Sequence, residues 1–338
     1  MGGDVNAQRP ICIAGAGSIG CFVGGMLAAA GRHVSLLARP HLVDGIARNG
    51  LLLTSFEGGR WHLSAGQVTS SDDPAILKDA GVIIVAVKSG DTSAMAGLIA
   101  QHAAADAVIV SLQNGVGNVA TLKQALPGHR VLGGMVPFNV VTRDDGTVHR
   151  ATSGALVIER DSDDTAARLA VANLPIQSTD NIVGVQWGKL LVNLSNALNA
   201  LSDLPLHAQL QQRGWRLLFA DQMTEGLAVL RAAGISPVAA TAIPPWLTPH
   251  LLRLPDGVFG LILRRVMKID INARSSMWED LQRRRPTEID YLQGVILELA
   301  NQYGVATPLS RRVVEMVKAA EAARRGSPAL SIQQIRDE

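Results

Sequence analysis

The sequence predicts an α/β protein, with a doubly wound sheet in its N-terminal half followed by an all-α C-terminal half. Three observations carry this. Short, β-branched apolar runs alternate with helical patterns as far as residue 181. A glycine-rich turn joins the first strand directly to the first helix. From residue 182 onward helical patterns follow one another with no strand between them.

The elements follow in order. "ICIA" (11–14) is a short buried strand, "SIGCFVGGMLAAA" (18–30) a small-residue helix closed by Gly31, and "HVSLLA" (33–38) the next strand. "GVIIVAV" (81–87) and "AVIVSL" (107–112) are continuous apolar runs, as expected of parallel strands covered on both faces. "GDTSAMAGLIAQHA" forms the crossover helix between them, and "ALVIER" (155–160) a strand near the sheet's edge. Helices are expected over 185–202, 213–233, 258–280 and 288–303, with a proline-broken stretch at "IPPWLTPHLLRLP". The domains are therefore 1–181 and 182–330, with the tail from Arg324 read as a loosely held end.

Composition narrows the function classes. A chain of 338 residues, 47% hydrophobic and 18% charged, can build two real cores. A net charge of +2 gives no field that would recruit nucleic acid, and Arg283–Arg285, Arg311–Arg312 and Arg324–Arg325 read as solvated faces. Cys12 and Cys21 fall in a buried strand and helix, as reduced core thiols and neither a disulfide nor a metal site. "MGGDVNAQRP" lacks the regions of a signal peptide and reads as a disordered lead-in, and no apolar run is long enough to span a membrane. The expectation is a cytoplasmic protein without metal.

Gly15-Ala16-Gly17-Ser18-Ile19-Gly20 fits G-x-G-x-x-G in the context that gives the pattern meaning: after a strand, opening a helix, in the first βαβ unit. Gly15 permits the tight turn, Gly17 lets a pyrophosphate approach the backbone, and Gly20 allows close helix–strand packing. The helix N-terminus offers free N–H groups to phosphate. A Rossmann-type dinucleotide domain follows. Where NAD-selective folds carry an acid at the end of the second strand, "LLARP" carries Arg39, whose guanidinium suits a 2′-phosphate. The cofactor expected is NADP(H). Lys88 and Asn114 end the next two strands, where ligands gather in open α/β sheets. Each also has an ordinary reading, a solvated lysine and a turn residue before Gly115.

"WGKLLVNLSNALNAL" (187–201) is apolar apart from one charge, Lys189, and asparagines at 193, 196 and 199. At about 100° per residue Lys189, Asn193 and Asn196 share one narrow face, with the leucines opposite. Neutral amides around one ammonium hold a polar ligand without adding charge. The ammonium can stabilise the negative charge that develops on a carbonyl under reduction and can donate a proton to it. A helix facing a gap, its amides satisfied by backbone, accounts equally for the pattern. Farther on, Ser275 and Ser276 could donate hydroxyls to a carboxylate or be ordinary helix serines. Thr287 after Pro286 can cap a helix with Glu288 in its first turn.

Together "GAGSIG", "LLARP", "VAVK", "QNG", "WGKLLVN", "SSMWEDL", "RRRPTEIDYLQG" and "GVATP" resemble the ketopantoate reductase (2-dehydropantoate 2-reductase) family, nearly end to end. The resemblance implies reduction of ketopantoate to pantoate by NADPH, in pantothenate synthesis. It makes Lys189 the proton donor, Asn193 a substrate ligand and Ser276 the holder of the substrate carboxylate. Glu288 helps place the cofactor ribose, Lys88 and Asn114 line the nicotinamide end, and Asn114 also counts as a substrate contact. One departure stands out. The family's second substrate asparagine usually lies eight residues after the lysine, where this chain has Ala197; its amide is Asn196, at plus seven. That leaves ketopantoate or a related 2-keto acid as substrate, with a non-catalytic NADP-binding sensor as the alternative of another class. A small 2-keto acid is the expected partner, with no nucleic acid or membrane, and a homodimer is a possible assembly.

Overall fold

The computed structural model describes residues 9–239, 243–266 and 273–336. The chain divides into two compact units, Met1–Ile182 and Val183–Glu338.

The strands of the first unit are β1 (Ile11–Ala14), β2 (Val34–Leu37), β3 (Leu51–Ser55), β4 (Arg60–Leu63), β5 (Thr69–Ser71), β6 (Val82–Val85), β7 (Val108–Ser111), β8 (Arg130–Met135), β9 (Val140–Thr142), β10 (Val148–Arg150), β11 (Leu156–Glu159) and β12 (Ile176–Thr179). Eight form one sheet in the order β12-β11-β8-β7-β6-β1-β2-β5. Only the β8–β11 pairing in it is antiparallel. From β5 to β8 this is the doubly wound order, whose switch point lies between β1 and β6. β1, β2, β6 and β7 are buried along their whole length, which is why they read as unbroken apolar runs.

The helices of this unit are α1 (Ser18–Ala29), α2 (Pro40–Asn49), α3 (Thr92–His102), α4 (Asn118–Ala125) and α5 (Thr165–Leu169). α1 lies against the sheet so closely that a Cβ on Gly24 would stand 2.8 Å from both Ile13 Cγ1 and Leu36 Cδ2. A Cβ on Gly25 would stand 2.6 Å from Leu53 Cδ1, on a second sheet of order β4-β3-β10-β9. The sequence did not predict that sheet. Its strands are three to five residues long, and its centre is a parallel β10–β3 pairing of residues far apart in the chain.

The second unit has no strand among its described residues. It contains α6 (Ile182–Asn193), α7 (Ser195–Ser202), α8 (Leu206–Gln211), α9 (Arg213–Ala232), α10 (Thr248–Leu252), α11 (Asp256–Val266), α12 (Ser276–Gln282), α13 (Val295–Tyr303), α14 (Pro308–Ala323) and α15 (Ile332–Arg336). Three expectations change. The helix predicted over 185–202 is broken at Leu194, where the Ser195 hydroxyl donates to Val192 O (2.9 Å) and Gln293 Nε2 donates to Leu194 O (3.0 Å). The helix predicted over 258–280 is two helices, with 267–272 outside the described residues. The tail is docked, not loose. Ile335 is fully buried, Leu330 N–H donates to Leu201 O, and Ser331 and Gln334 cap each other's backbone N–H as a capping box. The lead-in 1–8 lies outside the described residues.

Arg216 of α9 is wholly buried, unusual for a guanidinium. It donates to the carbonyls of Leu210, Gln211, Leu252 and Leu254 and to Asp256 Oδ1, and it stacks 4.4 Å from the Phe259 ring centroid. α9 thereby holds the end of α8 and the turn from α10 into α11. Among the described residues no helix is long and apolar enough to cross a membrane.

Candidate functional site

In the first unit the glycine loop is built by exclusion. Gly15 has φ +106°, and a Cβ there would fall 2.5 Å from Val87 Cγ1 and 2.7 Å from Val87 N, so no other residue fits. A Cβ on Gly20 would collide with Gly15 O at 2.2 Å. Gly17 differs, since a Cβ there would meet nothing within 4 Å, and the loop opens outward at that position. The N–H groups of Gly15 and Ala16 are taken by Leu37 O, at 3.3 and 3.2 Å. The first backbone bond of α1 is Cys21 N–H to Gly17 O, so Ser18, Ile19 and Gly20 keep the unpaired N–H groups of a helix start. No side chain caps that start and no acid lies in its first turn. A phosphate therefore fits: donors, a positive helix end and room at Gly17 coincide. The Ser18 hydroxyl pairs with Thr142 Oγ1 at 2.8 Å, so Ser18 offers the loop its N–H. Arg39 stands at the N-cap of α2 just beyond β2, exposed and with no side-chain partner among the described residues.

Lys88 is exposed just past β6 and Asn114 half-buried just past β7. Between them lies a polar cluster that sequence reasoning missed. Gln113 Nε2 donates to Val87 O (3.1 Å) and Thr92 Oγ1 (2.7 Å); Asn118 Nδ2 donates to Asn114 O (2.6 Å) and Ser89 Oγ (3.2 Å); Ser89 Oγ donates to Asn114 O (3.0 Å). The only local trace was Gln113, a buried amide beside the singled-out Asn114.

In the second unit Lys189 sits on α6, half-buried, and desolvation pulls its amine down to about 8. Asn193 is buried and Asn196 half-buried on the far side of the Leu194 break. Two other segments meet this helix pair. The Ser275 hydroxyl donates to Asn196 O (3.1 Å), setting the start of α12, with exposed Ser276 at its first position, beside α7. The Gln293–Leu194 bond brings the π-helical turn Asp290–Gly294, which follows half-buried Glu288, against the break. Ser275 itself caps α12 by accepting from Trp278 N–H, so its hydroxyl is structural and not a ligand donor. Asn199 is structural too. It is fully buried, with Nδ2 donating to Leu204 O and Oδ1 accepting from Ser275 N–H. Glu279, unremarked in the sequence, is pushed up to about 7 by burial. Among the described residues no cluster of three or more His, Cys, Asp or Glu could hold a metal.

A doubly wound sheet with this phosphate-ready loop, joined to a helical unit bearing a desolvated lysine among amides, defines the class: a dinucleotide-dependent oxidoreductase. The family model described as "Ketopantoate reductase PanE/ApbA" matches residues 11–162, and that described as "Ketopantoate reductase PanE/ApbA C terminal" matches 181–321. This chain belongs to the ketopantoate reductase family. The PanE/ApbA family ketopantoate reductase of Ralstonia eutropha JMP134 is 32% identical, with TM-score 0.79 over 94% of this chain and 99% of that one. The 2-dehydropantoate 2-reductase of Halobacterium salinarum is 27% identical over 92% of this chain and 98% of its own length. A D-mandelate dehydrogenase solved with NADH and anilino(oxo)acetate, 23% identical, shares the fold with TM-score 0.75 over 93% of this chain and 99% of that one.

Proposed function

We infer that the chain reduces a small branched 2-keto acid with NADPH, with ketopantoate to pantoate as the first reaction to test. The observation carrying this is Lys189, a desolvated amine at about 8 on α6, with buried Asn193 one turn further along that helix and Asn196 just past the Leu194 break. A bound reduced nicotinamide supplies the hydride. The protein's share is to hold the keto acid and meet the charge that builds on its oxygen. Lys189 donates the proton to that oxygen and, as a cation, favours the transition state over the neutral ketone. Asn193 and Asn196 orient the substrate through hydrogen bonds that cost no charge. The Ser276 hydroxyl, exposed beside α7, takes the carboxylate. In the first unit Gly15–Gly20 receive the pyrophosphate and Lys88 and Asn114 line the nicotinamide end, while the family resemblance assigns Glu288 to the cofactor ribose. Cytoplasmic location and a homodimer belong to the same reading. Buried Cys12 and Cys21 suit a reducing compartment, and light scattering measures the assembly.

A second reading, a related 2-keto acid, is favoured by Ala197 standing where the family's spacing would put its second asparagine, the amide here being Asn196 one residue earlier. Mixing the enzyme with NADPH and a panel of 2-keto acids, while following nicotinamide absorbance, decides between them. Oxidation fastest with ketopantoate supports the first reading, and fastest with another keto acid the second. Tight NADPH binding with no turnover on any member leaves a sensor and removes both.

Arg39 carries the choice of NADPH over NADH. Arg39→Asp replaces a cation with an anion that repels the 2′-phosphate. The ratio of kcat/KM for NADPH over NADH falls at least about tenfold, about 1.4 kcal/mol. An unchanged ratio in initial-rate assays would assign the selection elsewhere.

A further inference from the structure

We propose that Thr92, Gln113 and Asn118 are positioning residues that lock the ends of β6 and β7 against the glycine loop, fixing the nicotinamide half of the dinucleotide site. The proposal rests on the dinucleotide reading of the first unit.

The donor and acceptor inventory fixes how the cluster's two amides are turned. Val87 O and Asn114 O can only accept, so Gln113 and Asn118 must turn their NH₂ groups toward them. Gln113 then spends both hydrogens, on Val87 O and on Thr92 Oγ1, while its Oε1 accepts from Ser111 Oγ at 3.1 Å. Thr92 Oγ1, taken as an acceptor by Gln113, has one hydrogen left for Ser89 O or Asn118 Oδ1, both at 2.8 Å. One hydroxyl thus links the two amides. All five side chains, of Ser89, Thr92, Ser111, Gln113 and Asn118, are buried, where an unmade hydrogen bond is costly and wrong orientations are excluded.

What the cluster holds is a pair of backbone carbonyls at the carboxyl ends of neighbouring strands, those of Val87 and Asn114. Val87 is also the residue against which Gly15 packs without room for a Cβ. A shift of the Val87 peptide is therefore passed to the start of the glycine loop, and a shift of the Asn114 peptide moves the side chain assigned to the nicotinamide end. Lys88 follows Val87 directly and moves with it. Simple strand pairing would need none of this, since the β6–β7 ladder is complete at Val85–Ser111 before the cluster begins.

Thr92→Val tests the proposal, because it keeps the shape and deletes the hydroxyl. Binding of two probes, NADPH and adenosine 2′,5′-bisphosphate, is measured by calorimetry, together with kcat and the substrate KM. The first probe spans both halves of the site and the second only the adenine half. Thr92→Val weakens NADPH about tenfold and lowers kcat by a similar factor, leaves adenosine 2′,5′-bisphosphate within about twofold, and Thr92→Ser restores the NADPH values. Ser89→Ala, which removes one donor to Asn114 O, gives the same asymmetry more mildly and serves if Thr92→Val does not fold. NADPH affinity and kcat unchanged in both variants, or equal losses for the two probes, would overturn the positioning role. Wild-type protein binding neither probe would overturn the dinucleotide reading, and this inference with it.

Discussion

Lys189→Ala lowers kcat on the preferred keto acid by about a thousandfold, within the 10²–10⁴ range of positioned proton transfer, while NADPH affinity stays close to wild type. The size follows from two losses in one substitution. The keto oxygen loses its proton donor and the cation that stabilises it as charge accumulates, both in a desolvated setting where such interactions are strong. The two losses separate with Lys189→Arg. Arginine keeps a charge but cannot release its proton at working pH, so an activity near that of alanine identifies proton donation as the essential role. Wild-type pH dependence gives an independent sign. The donor form of Lys189 is the protonated one, lowered by burial to about 8, so kcat is at its plateau below that pH and falls as pH rises through it. Stopped-flow absorbance of the nicotinamide supplies the rates. Near-normal turnover in Lys189→Ala, or a pH profile that rises through this window, would remove Lys189 from the chemistry.

What could be read from the sequence was what local chemistry dictates. Gly15 and Gly20 were legible because a backbone with φ +106° and a 2.2 Å collision leave no other residue type. Lys189 was legible because a lone charge in an apolar helix demands a reason. The same pattern was ambiguous at Asn199 and Ser275. Polar residues that serve a ligand and polar residues that fasten two helices look alike until their partners are known, and these two bond to each other. The Thr92–Gln113–Asn118 cluster escaped because its members belong to different elements and none is unusual alone. The second sheet escaped for a related reason, since β10 pairs with β3 across intervening elements and short strands carry little periodicity. The docked tail, by contrast, had a readable signal in Ser331 and Gln334, the spacing of a capping box.

Arg216→Ala is the substitution expected to cost the most stability. Four backbone carbonyls lose their donor inside the protein, each at about 1–3 kcal/mol if left unpaired, and a large buried side chain leaves a void over Phe259. Asp256 adds little, because its carboxylate is mostly exposed and can turn to water. The sum, about 5 kcal/mol or more, approaches the whole stability of many domains. Arg216→Met fills the space with an apolar chain yet supplies no donor. It stays within about 2 kcal/mol of alanine if satisfaction of carbonyls is what matters, and recovers most of the loss if packing is. Urea unfolding followed by tryptophan fluorescence reads this directly, since Trp187, Trp215, Trp246 and Trp278 lie in the second unit and only Trp61 in the first. The consequence reaches the chemistry through α9. Gly226 of that helix lies so close to Leu191 and Leu194 that a Cβ would stand 2.8 Å and 3.4 Å from their side chains. The helix that Arg216 anchors is thus the surface on which the Lys189 helix rests. An Arg216 variant still folded at low temperature should therefore lose kcat more than dinucleotide binding, because the glycine loop and Arg39 lie in the other unit.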